Sequence, residues 1–133
     1  MNIEAFLLCD AATDEHGKLN VLGAFDHIFA KQMPTILPAC AVALRVRFEK
    51  VEEGEHRVRL QIIDLDGKPL SPKLEGNITV RMPDNVDSTA VNLILNIQGQ
   101  KFEKYGKFSI ELAIDEAKMS SLPLCVGKIP NQA

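Results

Sequence analysis

The sequence predicts an all-β protein, a sandwich of about seven or eight antiparallel strands. Three observations carry this. Apolar and polar residues alternate with a period of two along most of the chain. In the clearest case Val58, Leu60 and Ile62 alternate with Arg57, Arg59 and Gln61, which gives a strand one buried and one wet face. Turn-forming residues punctuate these runs, as in Asp66-Gly67 and Pro83-Asp84-Asn85, where a tight reversal needs positive φ or a fixed φ. No stretch sustains a helical period. Each strand then has one apolar face to bury, and two sheets packed face to face bury them all; a barrel is the alternative closure.

Residues 3–11 form the first strand, apolar on both faces and therefore covered on both. Residues 13–17 turn the chain into a returning strand, 18–25, in which Gly23 marks a bulge or kink. The strand resumes at 27–31, and Pro34 and Pro38 bracket a loop. Residues 41–49 place Val42, Leu44, Val46 and Phe48 inward and Arg45, Arg47 and Glu49 outward. Glu52-Glu53-Gly54-Glu55 turns this strand back as a hairpin into the run beginning at His56, which Asp64-Leu65-Asp66-Gly67 closes.

Residues 75–82 alternate again, with Ile78, Val80 and Met82 inward. Residues 90–98 put Val91, Leu93, Leu95 and Ile97 on one face, and residues 108–114 do the same with Phe108, Ile110, Leu112 and Ile114. Residues 115–121 read as a loop or one helical turn, 122–126 as a short last strand, and 127–133 as a flexible tail of a single domain spanning 1–133.

At 133 residues and 46% hydrophobic content, one domain buries a sizeable core without staples. A net charge of −3 argues against nucleic acid as a partner, because phosphate binding favours clustered Lys and Arg. The absence of tryptophan weakens any base-stacking surface. The N-terminal residues lack the basic and apolar regions of a signal peptide, and no segment reaches membrane-spanning length. The expectation is a cytoplasmic protein with no membrane partner. Cys9, Cys40 and Cys125 contain no C-x-x-C pair, so they read as small buried hydrophobes in a reducing compartment. A Cys9–Cys125 bridge between terminal strands is the sharper alternative. Asn77-Ile78-Thr79 matches a glycosylation sequon but lies in a strand of a chain without a secretory signal.

Several charged groups invite a functional reading. Alternate connections of an antiparallel sandwich share one end. One end then gathers Asp10, Asp14, Glu15, Glu52, Glu53, Glu55, Asp84, Asp87, Asp115 and Glu116, and the other gathers Lys31, Lys68, Lys73, Lys101, Lys104 and Lys107 beside Asp64 and Asp66. An acidic end permits a Ca²⁺-type site, since that ion takes six to eight oxygens from converging loops. The acids do not follow the spacing of a calcium loop, and a solvated charged rim explains them equally. Asp64 and Asp66 project to one face, but D-x-D-G is also ordinary turn chemistry. His16 and His56 fall in neighbouring acidic-end loops, yet no spacing pre-positions two metal ligands on one element. Ser88, Ser120 and Ser121 lack any nucleophile motif, and the glycines are isolated at turns rather than grouped for phosphate. Arg45, Arg47, Arg57 and Arg59 lie outward on two strands that the 52–55 hairpin would pair, forming a basic patch on one sheet face; cross-strand packing with Glu49 and Gln61, with the long stems shielding the sheet, is the favoured reading, and a surface for an anion or acidic partner is the alternative.

The segment Phe6-Leu7-Leu8-Cys9-Asp10-Ala11, followed by Gly17-Lys18-Leu19-Asn20-Val21-Leu22-Gly23, resembles the opening of a group of small bacterial proteins of unknown function. The D-x-D-G turn at 64–67 and the later Gly106-Lys107-Phe108 entry into an alternating strand resemble further motifs of that group. The likeness runs over about residues 3–126. It implies an immunoglobulin-like sandwich and no activity, substrate or catalytic residue. The chain departs from the group at 23–27, where many members carry a tryptophan or a glycine cluster and this one reads Gly-Ala-Phe-Asp-His.

The sequence therefore predicts a non-enzymatic binding or assembly module acting through a sheet face, an edge strand or loops. Its partner is a protein, itself or another, with a homodimer as one form. No catalytic, cofactor-binding or metal residue and no cofactor is assigned. The alternative is a metal- or small-ligand-binding domain using the acidic loops.

Overall fold

A computed structural model describes residues 1–130. The alternating segments become strands of two large sheets. One sheet holds β1 (Asn2–Glu15), β2 (Lys18–Ala24), β5 (Cys40–Glu49) and β8 (Ser88–Ile97) in the order β2-β1-β5-β8. The other holds β3 (His27–Ala30), β6 (Gly54–Asp64), β7 (Leu74–Val80), β10 (Gly106–Ile114) and β11 (Ala117–Lys128) in the order β3-β11-β10-β6-β7. Two short strands, β4 (Thr35–Ile36) and β9 (Lys101–Phe102), pair with each other. The protein is all-β, with a single 3-10 turn at Lys50–Glu52 and no α-helix among the described residues. Among the described residues the count is eleven strands rather than seven or eight. The unexpected strands are β4 and β9, two residues each and too short to display a period, whereas β3 is the strand expected at 27–31.

The predicted inward residues do form the core. Val42, Leu44, Val46 and Phe48 of one sheet are fully buried and share one cluster with Val58, Leu60, Ile62, Ile78 and Val80 of the other. Phe108, Ile110, Leu112 and Ile114 join the same cluster, with Phe108 edge-on to Phe102 at 5.0 Å. Burying each such side chain contributes about 1.5–3 kcal/mol before entropy is counted. Val91, Leu93 and Leu95 are only half-buried because β8 is the outermost strand of its sheet.

The connections depart from expectation. The 52–55 turn does not make a hairpin: β5 lies between β1 and β8, whereas β6 lies between β10 and β7. The chain arches from one sheet to the other so that the apolar faces of β5 and β6 meet across the core. A within-sheet hairpin and a between-sheet arch have the same local pattern of apolar alternation and short polar link, so periodicity does not separate them.

Residues 115–121 are not a loop. Asp115 and Glu116, at φ 52° and 71°, make a two-residue reversal, and β11 begins at Ala117. Both carry side chains where such a turn normally signals itself with glycine. β11 continues through Gly127 and Lys128, where the sequence predicts a tail, because β3 pairs with it there (Gly127 with Phe29, Lys128 with Ala30). That pairing is parallel, a correction to the purely antiparallel expectation. After Ala24 the chain crosses between sheets through Phe25 and Asp26 and meets β11 running in the same direction. The rest of the predicted tail, residues 131–133, lies outside the described residues.

The β1–β2 hairpin closes through His16 (φ 53°) and Gly17 (φ 82°), a primed turn whose twist suits two strands. Its far end folds over the outer face of the first sheet. Ala41 and Ala43 point away from the core, yet they are buried with Cys9 in a second cluster against Ala12, Leu19 and Ile94. The tip is tied down by Arg45 Nη1, which donates to the Gly17 carbonyl at 3.0 Å, and by Asn92 Nδ2, which donates to the same oxygen at 3.2 Å. Gly23 provides the predicted kink: its φ is +67°, and a Cβ there would fall 2.4 Å from Asp10 Oδ2.

Candidate functional site

The charged groups separate partly as the strand directions dictate. Glu52, Glu53, Asp87, Asp115 and Glu116 share one end. There the Lys50 N–H donates to the Asp87 carbonyl at 2.9 Å, and the Asp115 N–H donates to the Arg57 carbonyl at 2.9 Å. Asp10, Asp14 and Glu15 are not at that end. They ride on the β1–β2 hairpin above β5 and β8, because β1 bends across its own sheet; Asp14 Oδ1 accepts from Asn92 Nδ2 at 3.3 Å. His16 sits at the hairpin tip and is likewise not beside His56.

Several of the acidic-end carboxylates are already engaged. Glu52 Oε1 accepts from the Glu49 N–H at 2.8 Å, Glu53 pairs with Lys50 at 3.0 Å, and Glu116 pairs with Arg59 at 3.0 Å. Among the described residues no three His, Cys, Asp or Glu side chains come together as metal ligands. Asp64 Oδ1 accepts the N–H groups of Asp66 and Lys68, each at 2.9 Å, and Gly67 has φ +80°. The D-x-D-G segment is thus a turn built by its first carboxylate.

The most enclosed of the three histidines is His56. Its ring stacks on Phe48 with centroids 4.7 Å apart. Nδ1 lies 2.6 Å from Asp115 Oδ2, and Nε2 lies 2.6 Å from the Glu52 carbonyl oxygen. Both partners are acceptors, so both ring nitrogens must donate, and only the imidazolium does that. Burial works against the charged ring, but the Glu52 carbonyl and the Asp115 carboxylate together outweigh it and raise the pKa above 6.5. Asp115 loses some acidity to burial and regains more from the Arg57 N–H and His56, so its carboxyl is lowered. The cluster ties the 3-10 turn to the β10–β11 reversal. Sequence reasoning missed it because His56 and Asp115 are 59 residues apart and nothing local links them.

The four arginines do not form one patch, because β5 and β6 belong to different sheets. Arg45 and Arg47 both clamp Glu4, through Nε at 2.9 Å and 2.6 Å. Arg59 pairs with Glu75 at 3.1 Å and with Glu116, and Arg57 reaches Glu75 at 3.7 Å. Each pair is ion-paired on its own outer sheet face, Arg45 and Arg47 to one shared carboxylate and Arg57 and Arg59 to two. The cysteines are all free thiols. Cys9 stands opposite Ala24 and Ala41 in one sheet, and Cys125 stands opposite Lys107 and His27 in the other, so the alternative bridge is not formed.

What the structure leaves open is an edge. β2 pairs with β1 only from Cys9 onward, and β3 pairs with β11 only from Cys125 onward. The crossover at Phe25 and Asp26 is pinned to both sheets: the Phe25 N–H donates to the Leu8 carbonyl at 2.9 Å, and the Cys125 N–H donates to the Asp26 carbonyl at 2.9 Å. Below it, among the described residues, residues 2–7 of β1 have β5 on one side and no strand on the other, and residues 117–124 of β11 have only β10. A cleft of about 310 Å³ opens between these half-edges, walled by Leu7, Phe25, Leu122 and Pro123. Leu7 is 39% exposed.

No helix of the described residues is long and apolar enough to cross a membrane. No curated protein matches the chain. A family model described as a family of unknown function (DUF6941) matches residues 4–127, from the Glu4 clamp in β1 to the penultimate residue of β11. With nearly every strand inside that match, the chain belongs to this family of unknown function.

Proposed function

We propose that this protein is a non-enzymatic binding or assembly module whose open β1 edge pairs with the same edge of a second copy. The observation that carries the reading is the unpaired side of β1 below Cys9. A row of free backbone donors and acceptors is a template for another strand. The neighbouring half-edge of β11 is guarded, because Pro123 has no N–H to offer and Lys118 brings a charge. Ala5-Phe6-Leu7-Leu8 carries neither device. Glu4 is the extra residue of a bulge between Ile3 and Ala5 and is held by Arg45 and Arg47, so an antiparallel pairing of the Ala5–Leu8 stretch with its own copy sets no like charges opposite each other.

The non-enzymatic reading is supported by where the titratable groups go: His56, Asp115, Glu4 and Glu52 are each committed to structural partners. Two large sheets sharing one core support an immunoglobulin-like sandwich. Three free thiols support a reducing, cytoplasmic setting, and the resemblance of the opening strands supports a bacterial source.

Sedimentation velocity tests the pairing. The expected result is a dimer for the native chain and a monomer for Leu7→Lys, with slowed amide exchange at residues 5–8 in the native form only. A native chain that stays monomeric into the millimolar range, or a Leu7→Lys variant that remains dimeric, overturns the proposal.

A further inference from the structure

At the end of the molecule opposite His56, the segment after β6 and the segment around β9 face each other across two contiguous hollows. The outer one, about 540 Å³, is walled by Leu70, Phe108, Lys101 and Lys104. The inner one, about 270 Å³, has Leu60, Ile62, Ile97 and Ile110 at its base and Lys73 at its rim. They share Ser71, Pro72, Gln98 and Gln100. Gln100 is buried and is held by its Nε2, which donates to the Lys101 carbonyl at 2.9 Å.

The charges around these hollows are unbalanced. Lys101 pairs with Glu103 at 3.3 Å, and Asp64, which also lines the outer hollow, accepts two backbone N–H groups and sets one carboxylate against the lysines. Among the described residues, Lys73 and Lys104 have no carboxylate within ion-pair distance. Lys68 and Lys107 add further positive charge at the same end, against the one further carboxylate of Asp66, since Asp64 stands opposite Phe108 in the sheet. An apolar floor under a cationic rim selects a molecule with the same division.

We propose that these joined hollows bind a small amphipathic anion, an apolar body bearing one carboxylate or phosphate. The body lies against Leu70, Pro72 and Leu74, the apolar lining groups not closed into the core, and the anionic head meets the rim that carries Lys73 and Lys104. The site is independent of the β1 edge.

The test is an amide NMR titration of the full chain with octanoate and with octyl phosphate, below micelle-forming concentrations. Octanol and octylamine serve as tail controls, and acetate and inorganic phosphate as head controls. Saturable shifts centred on Ser71, Lys73, Gln98, Gly99 and Lys101 with an octyl anion, weakened about tenfold or more in a Lys73→Gln/Lys104→Gln variant, support the site; tenfold is the change expected on losing one charge-assisted contact. Comparison of the two octyl anions identifies the preferred head. Shifts scattered elsewhere, no saturable shift, octanol binding as well as octanoate, or unchanged affinity in the variant overturns it. Both lysines are exposed, so the variant is expected to fold as the native chain does.

Discussion

Replacing His56 with alanine removes two hydrogen bonds at 2.6 Å and a ring stacked on Phe48. A hydrogen bond to a charged group contributes about 1.5–3 kcal/mol, and a stacked aromatic pair about 0.5–1.5 kcal/mol. These do not add fully, because Asp115 keeps its bond from the Arg57 N–H and turns partly to water. The expected loss is about 2–4 kcal/mol at pH 6. The loss must shrink as pH rises. The folded pKa of His56 is raised above its unfolded value of 6.5, so its protonated contribution is fully present below that value and is lost as pH climbs through the folded pKa. Above that point the neutral ring has one N–H for two acceptors, and one nitrogen lone pair faces an oxygen. The assay is urea unfolding of the native chain and His56→Ala at pH 6 and pH 9, read as midpoints at constant slope. The difference between the two proteins isolates the His56 titration from every other group. An equal penalty at both pH values, or one below about 0.5 kcal/mol at pH 6, refutes the clamp.

Three further outcomes follow from the same contacts. Phe48→Ala empties a fully buried site under His56 and is expected to cost about 3–5 kcal/mol in chemical denaturation, with loss of the His56 pH dependence. Glu4→Gln breaks the double arginine clamp. Glu4 is held below its usual pKa first by the bond from Arg47, which with Arg45 outweighs its desolvation. Its contribution is therefore present above the unfolded pKa of 4.5 and lost as pH falls through the folded one; acid unfolding curves of the native chain and Glu4→Gln should converge at low pH and separate above it. Burial pushes the Cys40 thiol up to about 11 and raises Cys9 as well. A disulfide-exchange reagent at pH 8 should therefore label the half-buried Cys125 first and reach Cys9 and Cys40 only on unfolding; prompt labelling of Cys40 in the native protein would contradict its placement.

What the sequence by itself determined was which residues of each strand face inward. Val42, Leu44, Val46 and Phe48, and Phe108 through Ile114 at every second position, were legible because the pleat repeats every two residues and burial must follow it. The Asp64 turn and the Gly23 kink were legible for the same kind of reason, since a positive φ or a side chain capping its own turn is a local demand. Partnership was not legible. Whether β5 and β6 share a sheet is decided by which apolar faces meet across the core, and that decision placed the two arginine pairs on different faces. The same holds for the candidate sites. The unpaired half of β1 exists because β2 leaves its sheet at Ala24, and the lysine-rimmed hollows exist because residues near 72 and near 100 end on the same rim. Periodicity is a property of one segment; an edge, an ion pair or a cleft is a relation between segments, and only tertiary packing, which trades chain entropy for buried area, sets which segments meet.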